Sequence, residues 1–175
     1  MTALSFALFH SFMMITSFSY ARAFGSVAHG NWDKTNLDRK DLRHLNLTGA
    51  SFLFSNLRGS NLEGSDLHNS TLNRADLSWA ILRHANLKNA SLFLTHLFHT
   101  DLRYSNLTNA DLNSARLYGA DLRGCNLTGA ILKNAKYDVH TKWPAGFSPK
   151  GATLMPLGSP SLERHWAASD RLGTR

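Results

Sequence analysis

Disulfides are the first thing this sequence cannot have. Its 175 residues include one cysteine, Cys125, so no intrachain bridge can form and stability has to come from packing. Recognisable catalytic machinery is missing too: there is no phosphate-binding glycine loop, no nucleophile elbow and no zinc-type ligand spacing. His96-x-x-His99 has the form of a metal pair, but no cysteine or acid is placed to complete a site. These absences argue against an enzyme, and no cofactor or metal is expected. Acid is scarce as well. Lys and Arg number 19 against 12 Asp and Glu, for a formal net charge of +7 and a pI near 9.9. Such a balance serves solubility, and it attracts anionic partners without choosing among them. Hydrophobic residues at 43% suffice for a packed core, and the length suits one domain.

The first 23 residues stand apart. Ala3 to Tyr20 carries no charged side chain and is apolar or aromatic apart from Ser, Thr and His10, and it ends in Ala21-Arg22-Ala23, an A-x-A pattern. This predicts a signal peptide over 1–23, cleavage between Ala23 and Phe24, and a periplasmic or lumenal protein with no stable membrane insertion afterwards. Met1 to Ser5 lacks Lys and Arg, so two other outcomes stay open. One is an uncleaved anchor formed by residues 3–20, just long enough to span a bilayer. The other is a cytoplasmic chain.

From Thr35 the sequence repeats every five residues: TNLDR, KDLRH, LNLTG and onward to AKYDV, 21 units ending at Val139 without insertion or deletion. The central position is Leu in 19 units, with Phe52 and Tyr137 as exceptions, and the position two before it is Ala, Ser, Thr or Cys in 19, with Lys40 and Leu45 as exceptions. The position just before the centre is Asp or Asn in 13 units. A period of five fits neither a helix, where the leucines would spiral around the cylinder, nor a flat strand, where alternate leucines would face opposite ways. It requires a chain that turns after each unit, so that every Leu returns to one interior.

The run resembles the pentapeptide-repeat family, A-(D/N)-L-x-x, across residues 35–139. That resemblance implies an all-β fold, a single-stranded right-handed quadrilateral β-helix with four units to a coil. The chain then makes about five coils with short terminal caps: a lead-in over 24–34, the repeat over 35–139, and a C-terminal cap and tail over 140–175. Leu and the small residue point inward, and Asp and Asn bond nearby amides at the corners. Cys125 falls at an inward small-residue position and is expected to be an inert core thiol. Trp32 is expected to lie over the first coil. Trp143 and Phe147, within Thr141-Lys142-Trp143-Pro144-Ala145-Gly146-Phe147, resemble the family's closing lid. Ser159-Pro160 is suited to start a short helix.

Four units per coil put residues twenty apart on one side. One side carries Arg43, Glu63, Arg83, Arg103 and Arg123 beside Asp41, Asn61, Ile81, Asp101 and Asp121. It reads either as a self-paired charged face or as a basic stripe (Arg43, Arg83, Arg103, Arg123) for an anionic partner. A second side, with Thr48, His68, Lys88 and Thr108, reads as an inert ladder. The third feature is apolar: Phe93, Leu94 and Phe98 face outward in successive units, with Trp79 and Tyr118 expected one coil below and above Phe98. These five residues form either a candidate protein-contact or self-association patch, or a surface over which the tail or a residual N-terminal segment folds back. Some members of the family resemble duplex DNA in shape and negative charge and bind DNA gyrase. The positive charge and export signal here argue against that activity, and the acids alternating beside the arginines argue against nucleic acid as a partner. The sequence therefore favours a non-catalytic scaffold of the cell envelope with an unidentified partner.

Overall fold

A computed structural model describes residues 27–156. The predicted signal peptide, its cleavage point and the helix expected from Ser159 lie outside the described residues. The chain winds into a right-handed quadrilateral β-helix. Four parallel ladders define its sides, each joining residues twenty apart. Side one runs Asn31, Ser51, Thr71, Ser91, Asp111, Ile131, and side two runs Asn36, Asn56, Asp76, His96, Arg116, Lys136. Side three begins Asp41, Asn61, Ile81, and side four Asn46, Asp66, Asn86.

The five-residue unit explains this shape. In nearly every unit the central residue's carbonyl accepts from the amide three residues on, as Ser65 N donates to Leu62 O at 3.1 Å, which closes a corner. The fifth residue of every unit from His29 to Asn134 has a positive φ, between 53° and 73°. A type II turn requires that sign at its third position. Sixteen of these corners are not glycine, so each carries a backbone penalty of about 1 kcal/mol, which the ladders and the core have to outweigh. The residue before the centre braces the turn. Asn36 Oδ1 accepts from Asp38 N at 3.1 Å and Asp66 Oδ1 from His68 N at 3.0 Å, and most units with Asp or Asn there repeat the bond.

The bore is filled as the repeat requires. Every central Leu from Leu57 to Leu122 is fully buried, along with the alanines between them. Several small polar residues in the bore find backbone partners, although among the described residues the buried Ser70 hydroxyl has none. Ser55, Ser60 and Ser65 donate to the carbonyl of their own turn, at 2.6 to 2.8 Å. Thr95 and Thr100 reach back 23 residues to Leu72 O and Leu77 O, both at 2.8 Å. Cys125 does the same to Leu102 O and lies 3.3 Å from Ser105 Oγ, and burial pushes its thiol pKa up. A buried protonated thiol is chemically quiet.

Both ends differ from the sequence expectation. Trp32 does not lie over the first coil; it occupies a central position within it, 4% exposed, with Asn31 paired to Ser51. The wider bore at an open end accepts an indole where interior coils take Leu. Val27 holds the preceding central place, so the register reaches two units before Thr35. At the other end one extra residue enters near His140, and Asp121 pairs with Lys142 rather than with residue 141. Thr141 then fills the inward small position and Trp143 follows at the centre, packed on the core and stacked with Phe147 at 5.5 Å. A short strand β1 (Lys136–Tyr137) pairs in parallel with β2 (Thr153–Leu154), so the segment after Phe147 lies along the last coil and protects its edge.

Candidate functional site

Outward positions are where the repeat leaves chemistry free to vary, and one stretch uses that freedom for apolar and aromatic side chains. Phe93 and Leu94 end side one, and His96, Phe98 and His99 follow on side two, wrapping half of one coil. Phe93 is exposed, while Leu94 and Phe98 are half-buried. His96 leans on Phe98, with ring centroids 5.4 Å apart.

Two members of the predicted patch sit differently. Trp79 is the fifth residue of its unit, so the residue twenty on is His99, and those rings stack at 4.2 Å; Trp79 does not stack on Phe98. Trp79 still presents 43% of its surface at the corner below the band. Tyr118 does stack on Phe98, at 5.4 Å, but is only 3% exposed because the coil bearing Asp138 closes over it. Tyr118 therefore supports Phe98 from behind and offers no surface of its own. Phe54, two coils below Leu94, is separated from the band by Arg74, whose guanidinium lies 5.3 Å from the Phe54 ring centroid. Among the described residues the band is thus Trp79, Phe93, Leu94 and Phe98, with His96 and His99 as polar members that the residue pattern alone left out.

The arginine side is internally compensated. Arg43 forks onto Asp41, Arg103 onto Asp101 and Arg123 onto Asp121, each through Nε and one terminal nitrogen at 2.6 to 2.9 Å. Arg83 donates Nε to Asp101 from the coil below. Four arginines thus face three aspartates and Glu63 along this column, so these eight side chains together carry no net charge. Burial raises the Asp101 carboxyl, but hydrogen bonds from Arg103 and Arg83 outweigh it and hold the pKa at about 2. Asp101→Asn is expected to cost about 1 kcal/mol, the range of partly exposed pairs. Because the folded pKa lies below the ordinary 3.8, this stabilisation is present above that value and is lost as pH falls through about 2. Wild type and variant should therefore differ in melting temperature at neutral pH and converge below pH 2. A difference that persists there would mean the pairs contribute nothing.

Beside the band, near the C-terminal end, a groove of about 410 Å³ is lined by His99, Gly119, Val139, His140 and Lys142. Its floor needs glycine: a Cβ on Gly119 would lie 2.5 Å from His99 Nδ1, and the backbone there has φ +65°. Burial lowers the His99 pKa, opposed by the nearby Asp138 carboxylate and reinforced by His140. His44 and His84, two coils apart on one corner, do not converge: a Cβ on the intervening Gly64 would lie 2.5 Å from His44 Nδ1, and His84 stacks on Tyr104 at 5.3 Å. Among the described residues no group of His, Cys, Asp and Glu could hold a metal ion.

The fold and its repeat have an unambiguous counterpart among known families. The pentapeptide-repeat model matches eight copies over residues 33–64, 60–97 and 95–134. The chain is a member of the pentapeptide repeat family. Three solved structures are similar to the chain. The pentapeptide repeat protein Rfr23 from the cyanobacterium Cyanothece 51142 is 27% identical with a TM-score of 0.53, covering 74% of this chain and 99% of its own. A pentapeptide repeat protein of the Arabidopsis thaliana thylakoid lumen is 24% identical with a TM-score of 0.41, covering 64% and 65%. HetL from Nostoc sp. strain PCC 7120, involved in heterocyst differentiation regulation, is 28% identical with a TM-score of 0.36, covering 63% and 62%. No curated protein matches the sequence. What distinguishes this pentapeptide repeat protein is therefore what it displays on its sides.

Proposed function

We propose that this pentapeptide repeat protein is a non-catalytic scaffold that binds a protein partner through the band of Trp79, Phe93, Leu94 and Phe98. One observation carries the reading. The repeat dictates only inward residues, yet here large apolar side chains collect on outward positions of adjoining sides, with Tyr118 and His99 stacked behind them. Clustered exposed apolar surface favours contact, and rigid aromatics dominate interface energies. Phe98 is the expected anchor, since Tyr118 and His96 hold its ring in place. The A-x-A site at Ala21-Arg22-Ala23 supports an exported, periplasmic or lumenal setting. The compensated arginine side does not support recognition of an anionic surface through that stripe. Nor does a net-positive chain suit mimicry of DNA before a topoisomerase.

Phe98→Asp is expected to weaken partner binding or self-association at least a hundredfold, as loss of a central aromatic anchor does at about 3 kcal/mol or more. Melting should change little. Cross-linking in the native compartment followed by affinity measurement on the captured partner tests this, and unchanged binding by Phe98→Asp refutes the band as the interface. Mass spectrometry of the mature N-terminus tests export separately, through cleavage after Ala23.

A further inference from the structure

The positive charge of the rod is not spread along it. Residues 27–111 hold nine basic and eight acidic side chains, whereas residues 112–156 hold six basic and two acidic. Of those two acids, Asp121 is bonded to Arg123, and Asp138 is buried and bonded to backbone amides. Lys133, Lys136, Lys142 and Lys150 are all exposed, and none forms a salt bridge among the described residues. The first three stand on three consecutive sides of the last coil, and Lys150 lies on the segment that covers it.

The same end gathers aliphatic surface. The large hydrophobic side chains exposed elsewhere on the rod are all aromatic. Among the described residues, Ile131, Val139 and Leu154, at 49%, 58% and 51% exposure, are the three aliphatic ones, and all lie on the last coil or the strand paired with it. Lysines and aliphatics thus alternate around one rim at one height along the axis.

We propose that this C-terminal rim docks peripherally on an anionic lipid surface. The lysines meet the headgroup phosphates, while Ile131, Val139 and Leu154 enter the boundary with the acyl chains. The combination selects lipid over other polyanions. Aliphatic side chains gain nothing against a phosphodiester backbone, where single-stranded nucleic acid asks for aromatic stacking and duplex for bidentate arginine. Lysines with long stems suit a headgroup layer, because the stem packs on apolar surface while the ammonium reaches a phosphate. The rim adjoins the aromatic band at the groove that His99 shares with Val139 and Lys142, while Trp79, Phe93 and Leu94 do not line that groove.

Co-sedimentation of the full chain with vesicles tests the proposal. One set is phosphatidylcholine alone, and the other contains about one-third phosphatidylglycerol. The apolar segment over residues 3–20 is the same in every variant and insensitive to lipid charge, so the difference between vesicle types reads the rim. Wild type is expected to prefer the anionic vesicles. Changing Lys133, Lys136 and Lys142 together to Gln should reduce that preference about a hundredfold. Ile131→Ser with Val139→Ser should lower binding to anionic vesicles while leaving binding to a DNA duplex unchanged. All five positions are exposed, so wild-type melting is the control for folding. Equal sedimentation with both vesicle types, or full retention of the preference by the lysine variant, overturns the proposal. So does a serine variant that binds anionic vesicles as wild type does, since charge alone would then suffice.

Discussion

Leu87→Ala is expected to lower the unfolding free energy by about 2–5 kcal/mol, with a fall in melting temperature of about 10 °C. Leu87 lies mid-rod and is fully buried, with Leu67 and Leu107 at the equivalent positions one coil below and above. Removing its isobutyl group opens a cavity that the bore cannot collapse to fill. Each coil is pinned to its neighbours by ladder bonds, such as Leu87 N to Asn106 O at 2.8 Å. In a solenoid each coil touches only the next, so a central defect weakens the coupling of both halves, while a defect at the end loosens one coil. Leu127→Ala should accordingly cost less, because Leu127 is already 7% exposed near the last coil. Chemical denaturation followed by circular dichroism measures both. Near-wild-type stability of Leu87→Ala would remove the leucine stack as the main source of stability. Equal costs at positions 87 and 127 would contradict the nearest-neighbour picture.

The inward half of this molecule was legible because its rule is simple. A period of five with a small residue two before each Leu requires a chain that turns after every unit and returns each Leu to one interior, while the handedness and the four-sided section follow from the resemblance to the family rather than from the period. Self-pairing of the arginines was legible for a similar reason: acids and arginines at fixed offsets on coils about 4.8 Å apart come within reach of each other. What escaped depended on exceptions to the rule. Trp32 and Trp143 hold central places, but neither looks like the repeat, and the second is hidden by one extra residue near His140. The partner of Trp79 escaped because the fourth and fifth residues of a unit are neighbours in sequence yet belong to different columns, so His99 rather than Phe98 lies above it. Burial of Tyr118 depends on what the coil above does, and that coil departs from the repeat. The terminal concentration of lysine is visible in the residue order, but it acquires meaning only when the acids nearby prove to be occupied and the aliphatics prove to be exposed.

Asp138→Ala is expected to cost about 3 kcal/mol and to free the C-terminal coil first. In regular units the corner amide donates to a backbone carbonyl nineteen residues on, as His99 N does to Tyr118 O at 2.9 Å. The extra residue near His140 breaks that ladder, and at Gly119 the amide donates to the Asp138 side chain instead, at 2.9 Å. The same Oδ1 also accepts from His140 N at 3.1 Å and Thr141 N at 3.0 Å. One carboxylate oxygen therefore replaces the carbonyls that the inserted residue displaced, and it does so at 2% exposure, where water cannot take over. Alanine strands the Gly119 amide and leaves Thr141 N only its bond to the Asp138 carbonyl at 3.2 Å; asparagine, which keeps an oxygen in place, should cost about 1 kcal/mol. Amide exchange separates a local from a global effect. Gly119, His140 and Thr141 should lose protection in Asp138→Ala before Leu87 does, and proteolysis should begin after Val139. Uniform protection across the rod, with melting unchanged, would mean that the terminal coil is held by Trp143 and Phe147 alone.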